Sequence, residues 1–188
     1  HVVCNNAGVG GGGLIKDLTL NDWRWVIDVN LWGVIHGSRL FAAQMAGRGQ
    51  GGHIVNIASA AAWTPSRMMP AYATSKAAVL MLSECLRADL AGRGIRVSAV
   101  CPGIVDTGIT RASRFVGLGE DDQERRRERA ARAYRLRGYG PEKVARRVVD
   151  AVRADRAVVP VTPEAHLGRL LSRVAPGVMR LLARADLR

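Results

Sequence analysis

Tyr72 and Lys76 stand four residues apart in Tyr72-Ala73-Thr74-Ser75-Lys76, and Ser59 lies upstream at the end of Ile54-Val55-Asn56-Ile57-Ala58-Ser59. On a helix that spacing sets an ammonium beside a phenol oxygen, on one face. A free phenol titrates near ~10, and a neighbouring cation favours its ionised form. Such a phenol can protonate a carbonyl oxygen or take the proton of an alcohol. A serine hydroxyl nearby could hold that oxygen in place. The pair alone is a weak signal, since a helix with one tyrosine and one solvated lysine has the same spacing. Lysine is nevertheless scarce: of 28 basic residues, only Lys16, Lys76 and Lys143 are lysine. A chain that prefers arginine keeps a compact, deprotonatable cation here.

These side chains need a scaffold, and the hydrophobic pattern supplies one. His1-Val2-Val3-Cys4 reads as the end of a buried parallel strand, followed by the turn Asn5-Asn6-Ala7-Gly8. Val9 to Gly13 lacks a phosphate-cradle spacing and reads as a flexible loop. A helix capped by Thr19 or Asn21 is expected from Asp22 to about Met45, with Trp25, Val26, Val29, Ile35 and Leu40 among its apolar positions. Asn30 competes for backbone groups there and marks a point of local distortion. His53 to Ala58 reads as a strand ending at Ser59. Trp63, Met68 and Met69 follow in a connection that could face substrate or simply pack. Helix is expected from Ala71 to about Ala91 with a Val79, Leu82, Leu86, Leu90 stripe, stopped by Gly92 and Gly94. Ile95 to Val100 is a third strand, closing on Pro102-Gly103 and continuing to Thr107. Strands alternating with crossover-length helices predict an α/β fold, a doubly wound parallel sheet. Asn5 to Gly8, Ser59 and Pro102 to Thr107 then converge where such sheets place ligands.

Composition narrows the class. With 188 residues, 48% apolar and 23% charged, the chain fits one globular domain. Cys4, Cys85 and Cys101 sit singly in apolar runs and read as small buried hydrophobes of a reducing, cytoplasmic protein. His1, His36, His53 and His166 show no metal-ligand spacing, so no metal is expected. The net charge of +12 is scattered arginine, which argues against nucleic acid as partner. From Thr110 to Arg137 mixed charges at helical spacing predict a solvated helix or a lid. Pro141-Glu142 opens a helix to about Ala154, and Ala157 to Val161 is a last strand. Pro163 to Arg184 is amphipathic, basic and split by Pro176-Gly177. Packing on the domain or a partner subunit is the first reading of that tail, and contact with an anionic membrane surface is the second.

Taken together these residues resemble the short-chain dehydrogenase/reductase family, single-domain branch, over about residues 1 to 110. Asn5-Asn6-Ala7-Gly8, Val29-Asn30, Ser59, Tyr72-x3-Lys76, and Pro102-Gly103 with Thr107 are the motifs that carry the likeness. The resemblance implies a Rossmann fold, NAD or NADP as cofactor, an alcohol or ketone substrate and a homo-oligomer in which the helices starting at Asp22 and Ala71 pair. It makes Tyr72 the general acid and base and gives Lys76 two roles, lowering the Tyr72 pKa and binding the nicotinamide ribose. Ser59 would hold the substrate oxygen, and Asn30 a water leading from Lys76 to solvent. Asn6, Ala7 and Gly8 would line the adenosine side of the cofactor, and Pro102, Gly103, Val105 and Thr107 its nicotinamide and pyrophosphate. Residues 1–110 would be the catalytic half, and 111–188 a variable substrate-loop and helical region.

The family's glycine-rich first turn and its cofactor-selecting residue have no match, so an N-terminally incomplete fold starting near the fourth strand is expected. Two other functions stay open from sequence. One is a non-catalytic truncated remnant acting through subunit association. The other is a basic membrane-surface binder using the tail. Trp63 and Met68 to Pro70, with the residues after Thr107, would shape the pocket, and their apolar character favours a bulky, lipid-like or steroid-like alcohol or ketone.

Overall fold

The computed structural model describes residues 1–110, 112–117, 122–125, 128–129, 131–132 and 138–184. Strands β1 (Val2–Asn5), β3 (Gly52–Ile57), β4 (Ile95–Cys101) and β6 (Val158–Pro160) form one parallel sheet in the order β1-β3-β4-β6. Alternate residues of each strand point to opposite faces, and the sheet carries a core on each. Ile54 and Val97 pack with Ala42, Met45 and Leu90 on one face. Val55 and Val100 pack with Ala151, Val159 and Val161 on the other. This is the doubly wound arrangement that the alternating pattern predicts.

The first face is covered by α2 (Gly33–Arg48) and α3 (Pro70–Leu90), the second by α4 (Pro141–Arg153). Pro70 and Pro141 each occupy a first turn, where their missing N–H costs nothing. The buried side of α2 is Val34, Ser38, Ala42 and Met45, so Leu40, expected among the core positions, faces outward at 62% exposure. The helix expected from Asp22 is in fact two helices. Thr19 and Asp22 form a capping box that starts α1 (Leu20–Ile27). Asp28–Trp32 then winds as a π-helix before α2 resumes, which is the distortion anticipated at Asn30.

Three further expectations need correction. β1 is not buried: it lies at an edge of the sheet and alternates exposed with half-buried residues. Cys4 on that strand and Cys85 on the outer side of α3 are exposed, and only Cys101, in a central strand, is buried. The Val9 to Gly13 segment is not wholly loop, because β2 (Gly11–Gly12) pairs in parallel with β5 (Arg114–Phe115). The Arg114 guanidinium lies 4.0 Å over the Trp25 ring and fastens that pairing to α1.

In the arginine-rich segment, residues 122–125, 128–129 and 131–132 are helical and mostly exposed, as a solvated helix would be. The rest of that reading, including a lid, lies partly outside the described residues. The tail forms α5 (Pro163–Val174) and α6 (Pro176–Leu182), divided at Ala175–Pro176.

Candidate active site

Parallel pairing puts the carboxyl ends of β1, β3 and β4 side by side, with Asn5 opposite Asn56 and Ile57 opposite Val100. The chain leaves these three ends as Asn6-Ala7-Gly8, Ala58-Ser59 and Pro102-Gly103. Ala58 N donates to Val100 O and Ala60 N to Pro102 O, both at 2.8 Å, extending the β3 to β4 alignment past the strands themselves. Ser59 opens a short 3-10 turn at Ala60–Ala62, its Oγ accepting from Ala61 N at 3.1 Å and donating weakly to Pro102 O at 3.4 Å.

Helix α3 supplies the next pair. Tyr72 is in its first turn and half-buried, while Lys76, one turn on, is 3% exposed. The Lys76 Nζ lies 5.9 Å from the centre of the Tyr72 ring and donates to Ile57 O at 3.0 Å. Burial lowers its pKa to about 8. Cys101 offers it no anion, since burial pushes that thiol up to about 12. Among the described residues no carboxylate forms an ion pair with Lys76. The buried ammonium therefore gives up its proton more readily than an exposed lysine does.

Asn30, fully buried in the π-helical turn, completes the group. Its Oδ1 accepts from Val9 N at 2.8 Å, and its Nδ2 donates to Val9 O at 3.0 Å and to Ser75 Oγ at 3.1 Å. The turn after β1 is thus tied to the core of α3. A Cβ placed on Gly8 would stand 3.3 Å from Asn30 Oδ1 and 3.4 Å from Lys76 Nζ, so glycine leaves the approach to both open. Gly8 accordingly sits beside the Asn30 and Lys76 side chains.

The β4 end is built differently. At Gly103 any side chain would overlap Thr162 Oγ1 and Glu164 Oε1. Glu164 accepts from Ile104 N at 2.7 Å, pinning the loop to the start of α5. Val105 is buried in the core, whereas Thr107 is exposed and receives Ile109 N on its hydroxyl at 3.4 Å. The structure thus gathers Gly8, Asn30, Tyr72 and Lys76 closely and joins Ser59 to Pro102, while Val105 and Thr107 lie further along the same loop.

Several supporting residues were missed by sequence reasoning. Ser75 receives Asn30 and donates to Tyr72 O at 2.7 Å, linking the two within one turn. Its position between Tyr72 and Lys76 was the available signal. Beneath the site, Asn5 Nδ2 donates to Asn56 Oδ1 at 2.8 Å and Asn56 Nδ2 to Ser83 Oγ at 3.0 Å. Polar residues inside otherwise apolar strands were the hint there. Thr162 and Glu164 gave none.

Comparison with known proteins agrees with this geometry. A family model described as short chain dehydrogenase matches residues 1–115. The chain is 42% identical over 185 residues to the probable oxidoreductase EphD of Mycobacterium tuberculosis, covering 97% of this chain and 31% of that protein. It is 31% identical over 185 residues to the C alpha-dehydrogenase of a Sphingobium species, covering 93% of this chain and 61% of the relative. It therefore spans between about a third and three fifths of the length of these relatives. A short chain dehydrogenase/reductase from Burkholderia phymatum, solved in complex with NAD, superposes with a TM-score of 0.82 at 33% identity, over 100% of this chain and 69% of that one. Because the family match spans well over half of the sequence, from β1 to β5, the chain belongs to the short-chain dehydrogenase family of oxidoreductases.

Proposed function

We propose that the chain is the catalytic part of an enzyme that moves a hydride between NAD or NADP and the carbon of a ketone or secondary alcohol, with Tyr72 as general acid and base. The observation that carries this reading is the buried Lys76 ammonium, one helical turn from Tyr72 and next to Gly8 and Asn30. A cation held in a poorly solvated place favours ionisation of a phenol beside it. The cofactor, when bound, supplies or accepts the hydride.

The residues present fit the nicotinamide end of such a cofactor. The missing side chain at Gly8 leaves room beside the Lys76 ammonium, a donor suited to ribose hydroxyls. The family likeness assigns Pro102, Gly103, Val105 and Thr107, along the loop after β4, to nicotinamide and pyrophosphate, Val105 through its backbone since its side chain is buried. Asn6 and Ala7 fall to the adenosine side. In the reducing direction Ser59 Oγ holds the substrate oxygen, and the Tyr72 hydroxyl gives that oxygen its proton as the carbon is reduced. The resulting phenolate recovers a proton from the Lys76 side, and Asn30 would hold the water that connects Lys76 to solvent. In oxidation the same groups act in reverse. Outward-facing Leu40, Phe41 and Met81 on α2 and α3 support pairing of two copies through those helices.

The test is carbonyl reduction followed by loss of NAD(P)H absorbance across a panel of ketones. Tyr72→Phe is expected to lower kcat/KM by about 10³-fold, within the range for a lost general acid, and to leave the circular dichroism melt in place. Undiminished turnover would sink the assignment. Calorimetric titration with NADH and NADPH separates this reading from a non-catalytic remnant, which binds neither.

A further inference from the structure

Helices α5 and α6 are apolar on two sides. Ala165, Gly168 and Met179 turn inward and are buried. Leu167, Leu170 and Val174 turn outward, at i, i+3 and i+7, and are 55%, 55% and 68% exposed. On α6, Val178, Leu181 and Leu182 are exposed as well. A surface helix ordinarily presents polar residues on that side, and a contiguous exposed apolar face marks an interaction site.

Charge decides what the face fits. From Ala165 to Arg184 the sequence has Arg169, Arg173, Arg180 and Arg184 and no aspartate or glutamate. Arg173, Arg180 and Arg184 are exposed beside the apolar residues. Two copies meeting through this face would bring these arginines against one another, in a chain already at +12. An anionic lipid surface complements both features, since acyl chains take the leucines and phosphates take the guanidinium groups. Among the described residues no helix is long and apolar enough to cross a membrane, which leaves contact in the plane of the interface.

The tail is also fastened to the connection that follows Ser59. Arg67 N donates to Ala183 O at 3.2 Å, and the Arg169 guanidinium lies 5.8 Å over the Trp63 ring. Gly168 backs directly onto Thr64, where an added Cβ would come within 2.8 Å of its methyl group. The helices are therefore held by the protein on one side and open on the other.

We propose that α5 and α6 are a docking surface for anionic lipid bilayers. The proposal is independent of the catalytic reading and is tested by co-sedimentation of the 188-residue chain with vesicles of phosphatidylcholine alone or mixed with phosphatidylglycerol. Sedimentation is expected with the mixed vesicles and to weaken as salt is raised. Arg173→Gln with Arg180→Gln should weaken partitioning on the order of 25-fold, about fivefold per arginine. Leu170→Ser with Leu181→Ser should reduce it independently. Equal sedimentation with both vesicle types, or none with either, would overturn the proposal. So would loss in the arginine variant with full binding by the leucine variant, which would mark a general polyanion site. Analytical ultracentrifugation gives the remaining outcome: self-association abolished by the leucine variant would assign the face to a second copy.

Discussion

The two ends of the central sheet treat charged groups in opposite ways. At the amino end of β4, Arg87 donates to Val97 O at 2.8 Å and to the Asp155 carboxylate at 2.9 Å, and Arg96 reaches the other carboxylate oxygen at 3.3 Å. His53 Nε2 meets Ser98 Oγ at 2.8 Å, and Ser98 donates to Arg156 O at 2.6 Å. There Arg87 and Arg96 share the Asp155 carboxylate as counter-ion. At the carboxyl end, Lys76 is more deeply buried than any of these ions, and its described partner is a backbone carbonyl. Removing a charge from water without a counter-ion is costly. One end of the sheet pairs its charges, and the other holds a buried charge that has no counter-ion among the described residues, at a cost in stability.

Substitutions of the charged groups should break that contrast in opposite directions, destabilising at Arg87 and stabilising at Lys76, while the neutral frame around Lys76 is costly to remove. The largest effect is expected at Asn30→Ala, which leaves both Val9 backbone groups and Ser75 without their partner. A loss of about 3 kcal/mol in a denaturant melt is expected, at about 1–3 kcal/mol per unsatisfied buried group. Next is Arg87→Ala, which removes the cation joining β4 to Asp155. A loss of about 2 kcal/mol is expected, typical of hydrogen bonds to charged groups.

Lys76→Met should act the other way. A shift from 10.5 to about 8 corresponds to roughly 3 kcal/mol of desolvation below pH 8. Stranding Ile57 O costs roughly 1–3 kcal/mol of that. A net gain of about 1 kcal/mol is expected from chemical denaturation, together with loss of carbonyl reduction. A less stable Lys76→Met protein would refute the contrast.

pH offers a finer version. Lys76 has a lower pKa folded than unfolded, so between the two values the unfolded chain binds more protons and stability rises with pH. From pH 8 to 9 this gives about 1 kcal/mol, absent in Lys76→Met. Asp155 behaves as the mirror case at the other end. Hydrogen bonding to Arg87 holds its carboxyl below the usual range, so its contribution is present at neutral pH and is lost as pH falls through the folded value. The acid-side slope should flatten in Asp155→Asn, by the smallest amount here because that carboxylate is about a third exposed.

Much of this was legible in the sequence for identifiable reasons. Tyr72 and Lys76 declare themselves because helical spacing converts directly into proximity. Ser59, Gly8 and Gly103 follow because each ends an apolar run, and strand ends in a parallel sheet share one edge. Asn30 was visible as an irregularity, though its partner Val9 was not. The missed features depend on contacts between residues distant in sequence. Gly11–Gly12 carries no strand signal of its own and becomes a strand only because Arg114–Phe115 lies alongside. Thr162 and Glu164 matter through Gly103, a closeness that no period encodes. Cys4 and Leu40 misled because apolar neighbours in sequence imply burial only where a second layer covers them.

The π-helical turn at Asp28–Trp32 carries a lesson about chain length. A π turn holds one residue more than the α turn it replaces. Deleting Val29 would let α1 and α2 merge into one regular helix, a locally favourable change. Because the wide turn absorbs the extra residue, Val34, Ser38, Ala42 and Met45 would keep nearly the same face, but the widened turn that seats Asn30 against Val9 would be lost. In the surface turn at 49–51 a residue lost or gained falls in a connection outside any helix or strand. Within Asp28–Trp32 it decides whether the helix that covers the sheet also has the widened turn that seats the asparagine anchoring the site.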